Sequence, residues 1–106
     1  MDRWSGYPSL PSSWLDLRGD DDEVERRRRA VERELAAELS PDHQLFGHRA
    51  AVVGQSESTD DILLLLEGRI WALVHLTWRG SPERPPWPRV KTYDSVHAVQ
   101  EALDHN

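Results

Sequence analysis

The residues best suited to chemistry are His75 and Thr77, two apart in an apolar run, and Asp60 and Asp61 upstream of them. Glu67-Gly68 lies between two apolar stretches, and glycine supplies the positive φ that tight hairpin turns need. A hairpin centred there pairs residues whose numbers sum to about 135. That places His75 opposite Asp60 and Thr77 opposite Ser58. A carboxylate beside an imidazole orients the ring and favours its charged form. Such a pair could serve as a general base in a small hydrolase-like enzyme. The plainer alternative is a histidine hydrogen-bonded at the rim of a sheet. Neither a nucleophile elbow nor a phosphate-binding glycine loop accompanies the pair, so the catalytic candidates are His75, Asp60 and Asp61 alone.

A second group follows directly. Trp78, Arg79, Arg84, Trp87, Arg89 and Lys91 make the one locally basic, aromatic-bearing stretch, with Glu83 among them. Tryptophan and arginine are the residue types that anchor protein interfaces. Aromatics with arginines can also stack single-stranded nucleic acid, which makes RNA binding through residues 79–91 an alternative. Trp78 belongs to a strand face that is apolar along its length, so it is expected to pack in the core. Trp87 sits between prolines in a stiff loop and is the stronger contact candidate.

For metals, His43, His48, His75, His97 and His105 form no His-x-His or His-x-x-x-His pair. With no cysteine in the chain, thiolate metal sites, thiol nucleophiles and disulfides are excluded. No metal and no cofactor is expected.

These side chains need a scaffold. The 106 residues suit one domain, and a net charge of −6 favours solubility and disfavours general binding to nucleic acid or anionic membranes. The apolar runs 62–66 and 70–74 are far shorter than the ~20 residues of a membrane span. With no apolar segment near the start, a cytoplasmic location is expected.

Residues 1–19 read as an irregular arm, broken by Gly6, Pro8, Pro11 and Gly19. Trp4, Tyr7, Leu10, Trp14, Leu15 and Leu17 are unusual for a disordered tail, and Trp14 to Leu17 should anchor it. The domain proper then spans residues 20–106. Asp20 with Glu23 fits a capping box, and Val24, Val31, Leu35 and Leu39 give one apolar stripe on a helix that Ser40-Pro41 ends. The arginines 26–29 cover every face of that helix and have acidic partners three or four residues away. A solvated, salt-bridged face is the expectation there, not a nucleic-acid patch.

Leu45 and Phe46 should plug the core after the helix. Residues 49–55, 61–66, 69–78 and 89–93 read as strands, and Asp94 or Ser95 caps a last helix carrying Val96, Val99 and Leu103. The expected fold is α+β, in the order α-β-β-β-β-α. It is a mostly antiparallel sheet of about four strands with both helices on one face.

Residues 74–93 carry His-Leu-Thr-Trp-Arg-Gly-Ser-Pro-Glu-Arg-Pro-Pro-Trp-Pro, preceded by Asp60-Asp61-Ile62-Leu63 and by an acidic helix. This pattern resembles the signature of a small uncharacterised bacterial domain family. The resemblance covers about the last half of the chain. It implies a compact domain and brings no activity, cofactor or catalytic residue.

The reading that emerges is a small protein-interaction module, monomeric or homodimeric. Trp87, Arg84 and Arg89 would meet the partner, with Arg79 beside them and Trp78 and His75 at the floor.

Overall fold

The computed structural model describes residues 6–105; the expectation for Trp4 lies outside them. The order is β1 (Trp14–Asp16), α1 (Asp22–Glu38), β2 (Ala50–Ser56), β3 (Asp61–Leu66), β4 (Ile70–His75), β5 (Arg89–Tyr93) and α2 (Val96–Asp104). The five strands form one antiparallel sheet in sequence order, β1-β2-β3-β4-β5. The α+β class is therefore as read, with one strand more than expected.

The extra strand comes from the arm. Trp14–Asp16 pairs with Gly54–Ser56 of β2, and Leu17 behind it is 1 % exposed. Further back, Tyr7 packs its ring edge-to-face on Trp71, with centroids 5.0 Å apart. The Gln100 side chain of α2 holds Ser9 by both its N–H and its carbonyl, at 2.7 and 2.9 Å. Gly54 is where the arm comes closest: a Cβ there would lie 2.9 Å from Leu10 and 3.2 Å from the Leu15 carbonyl oxygen. The β2–β3 register also shifts at this point, between Val52 and Gly54.

α1 is capped by Asp21, whose side chain accepts the Glu23 N–H at 2.9 Å, one residue later than the Asp20 box expected. Its end before Ser40-Pro41 is as the proline requires. Of the four arginines, Arg29 pairs with Glu25 at 2.7 Å. Arg28 turns back instead to the carbonyls of Leu17 and Gly19, tying the helix to the end of the arm.

The two helices lie on opposite faces of the sheet, which corrects the one-face arrangement. Val31 and Leu35 of α1 share a core with Val52, Ile62, Leu64, Ala72, Val74 and Leu76. Val99 and Leu103 of α2 share another with Trp14, Val53, Leu63 and Trp71. The physical reason is in β3 and β4. Neighbouring residues of a strand point to opposite faces, and both sets here are apolar, so each face needs its own cover.

Two further expectations fail. Leu45 is buried, but Phe46 is 52 % exposed and does not plug the core. Trp78 is not the last member of the buried row Ala72, Val74, Leu76. The strand ends at His75, and Trp78 turns outward with φ +59° and 39 % exposure.

Candidate functional site

The hairpin turn spans three residues, Glu67, Gly68 and Arg69, with φ of +75° at Gly68 and +59° at Arg69. Leu66 therefore faces Ile70, and the register runs one residue beyond the expected centre. A one-residue slip exchanges every cross-strand partner. His75 consequently pairs with Asp61, not Asp60, and its Nδ1 lies 2.9 Å from the Asp61 carboxylate. Asp61 also accepts from the Thr59 hydroxyl at 3.0 Å. Among the described residues Asp60 contributes its backbone carbonyl, which accepts the Leu76 N–H at 3.1 Å.

On the other side of β4, His75 faces Arg89 of β5. Asp61, His75 and Arg89 thus form one cross-strand row at the end of the sheet, on the face that α2 covers further along. The bond to Asp61 marks Nδ1 as the protonated ring nitrogen, which leaves Nε2 as the reactive position. Among the described residues Nε2 has no hydrogen-bond partner. A cleft of ≈330 Å³ opens beside the row, with Leu73, Lys91, Tyr93 and Ala102 in its walls.

The loop that follows β4 is held by a group the sequence did not single out. Glu38 is fully buried. Its two carboxylate oxygens accept the N–H groups of Thr77 and Trp78, both at 2.8 Å. One turn earlier, Glu34 accepts the N–H of Gly80 at 2.8 Å. Successive backbone N–H groups with residues at positive φ make a concavity that suits an anion, and here helix carboxylates fill it. Burial pushes the Glu38 pKa up from the ordinary glutamate value. Its hydrogen bond with the Glu34 carboxyl adds to the rise, while the two N–H donors oppose it. The available signal was position: Glu38 stands seven residues after Val31 and three after Leu35, on the buried stripe.

Residues 80–88 are pinned at both ends. The Glu83 N–H donates to the Glu38 carbonyl at 3.0 Å, and the Glu83 carboxylate accepts from the Thr77 hydroxyl at 2.9 Å. At the far end, buried His43 sits 2.7 Å through Nε2 from the Pro88 carbonyl. Its Nδ1 accepts the Leu45 N–H at 3.0 Å, which makes Nε2 the donor to Pro88. Between these anchors Trp87 N–H closes a turn on the Arg84 carbonyl at 2.9 Å, and the peptide bonds before Pro86 and Pro88 are cis. Trp87 is half-buried, and the Arg89 guanidinium lies over its ring at 4.6 Å. Arg84 is exposed, and so is Arg79, 3.9 Å from Glu83.

The structure thus brings Trp87 and Arg89 together, joins Arg89 to the His75 row, and leaves Asp60 outside it. No group of three or more His, Asp or Glu side chains is placed to hold a metal ion among the described residues. No described helix is long and apolar enough to cross a membrane. In comparison with known proteins, the chain matches no family model, no curated protein and no solved structure.

Proposed function

We propose that the chain is a small cytoplasmic protein-interaction module that meets its partner through Trp78, Arg79, Arg84, Trp87 and Arg89. One observation carries this reading. The 80–88 loop is fastened by Glu38, Thr77 and His43, yet Trp78 stands outward and Trp87 lies under a guanidinium. Binding is costly when side chains and loops must be ordered on contact. A loop already held in one shape avoids much of that cost, and Trp and Arg are the types that supply most interface energy. The test is affinity capture from lysate with wild type and with a Trp87→Ala, Arg84→Ala double variant whose circular dichroism is unchanged. The wild type should retain a partner that the variant loses. Equal capture by both would sink the reading.

A second reading has its own support in the 2.9 Å His75–Asp61 bond and the cleft beside it. The oriented imidazole could act as a general base through Nε2. His75→Gln would then abolish turnover of a hydrolase substrate from a screening panel. Turnover that survives the substitution would exclude it.

A further inference from the structure

Among the described residues β5 is the last strand of the sheet and pairs only with β4. None of the backbone groups of Arg89–Tyr93 is bonded elsewhere among the described residues. Half of its main-chain donors and acceptors therefore face outward, as at any terminal strand. No proline interrupts Arg89–Tyr93, so every residue of it can donate. The opposite edge is different, because β1 has only three residues.

The free edge of β5 runs between two clefts. The ≈330 Å³ cleft on the α2 side is walled by Leu73, Lys91 and Tyr93. One of ≈580 Å³ on the other side is walled by His43, Pro85, Pro86 and Val90. This is the arrangement of sheets that accept an added strand: main-chain bonds give affinity, and alternate side chains drop to either side.

Charge selects the occupant. Arg89 and Lys91 stand on the same face of β5, exposed, beside His75 and Leu73. A second copy added antiparallel about the strand centre would set Lys91 against Lys91, and like charges directly opposite are destabilising. An acidic strand meets the same positions favourably. On the other face Val90, Pro85 and Pro86 call for an apolar side chain. Resting on the interaction-module reading, we infer that the partner contributes an extended segment of alternating acidic and apolar residues, which adds to β5 as a sixth strand.

The test uses the full chain and a capped heptapeptide alternating glutamate and valine. Amide exchange of Arg89–Tyr93, followed by NMR, should slow at alternate residues by about tenfold or more on saturation, as hydrogen-bonded edge amides do. Lys91→Glu should weaken the peptide about fivefold, from exchange of an attractive cross-strand pair for a repulsive one. A peptide N-methylated on alternate residues should not bind. Three results overturn the inference: no change at Arg89–Tyr93 up to millimolar peptide, equal binding by the lysine-valine counterpart, or pairing of the chain with itself along β5. Capture of a lysate partner that depends on Trp87 and Arg84 but is indifferent to Lys91→Glu would remove the sixth strand and leave the interaction reading standing.

Discussion

Glu38 concentrates more of the structure than any other single residue. It ends α1, it is fully buried, and it fixes Thr77 and Trp78 where the chain leaves the sheet. Removing it in Glu38→Ala leaves two part-buried N–H groups without their carboxylate and a small void, at a cost of about 2 kcal/mol. Urea denaturation would measure it. The carboxyl also gives a pH signature. Its pKa is raised in the folded state, so the folded chain keeps the proton that the unfolded chain releases. The stability from this group is full below the unfolded value and declines as pH rises through the raised value. Asp16 works the other way: its hydrogen bonds to Arg18 hold its pKa down, so its contribution is lost as pH falls. Comparing wild type with Glu38→Gln separates the two, since only Glu38 is removed. The stability of wild type relative to Glu38→Gln should fall as pH is raised from 4 upward, and a gap that widens instead would contradict the assignment. At Gly54 the constraint is steric. A methyl group would press on Leu10 and on the Leu15 carbonyl, so Gly54→Ala should cost about 2 kcal/mol and loosen the arm.

At the scale of elements, the two helices depend on different things. α1 has 17 residues with three acids in its first turn, and a cap that is one contribution among several. α2 has nine residues, short for a helix to persist without packing and capping. Its Ser95 hydroxyl accepts the Ala98 N–H at 3.1 Å. Ser95→Ala should therefore destabilise the protein by about 1 kcal/mol, read as a lowered melting temperature. Both helix ends were legible because their causes are local: an acceptor side chain at one end, a proline at the other. The hairpin was legible as a hairpin, but its register was not. Whether the turn takes two residues or three depends on how Arg69 settles after Gly68, and that one residue exchanges Asp60 for Asp61 as the partner of His75. β1 was hidden for a related reason. A stretch of three residues among prolines and serines has no period of its own and becomes a strand only against β2.

Across the whole molecule, an acidic chain of net charge −6 carries exposed arginine and lysine along one sheet edge and the adjoining loop. Charged side chains on a terminal strand are also a defence against self-association. Replacing them in Arg89→Val with Lys91→Val should convert β5 into a self-pairing edge. Sedimentation velocity is expected to show a monomeric wild type and a dimerising variant. A variant that stays monomeric would mean that something other than charge protects the edge.

Residue order alone decided the α+β class, the extent of both helices to within a residue or two, the central hairpin, and the separation of an apolar hairpin from a Trp/Pro/Arg loop. Each follows from interactions between residues close in the chain. The opposite placement of the helices, the outward turn of Trp78, the burial of Glu38, and the row formed by Asp61, His75 and Arg89 were settled only by tertiary structure. These depend on contacts between segments far apart in the chain: Glu38 meets Trp78 and His43 meets Pro88 across 40 and 45 positions. No local period encodes such a meeting. The buried carboxylate drew no notice in the sequence because its donors are Thr77 and Trp78, which the pattern there extends as the end of a strand.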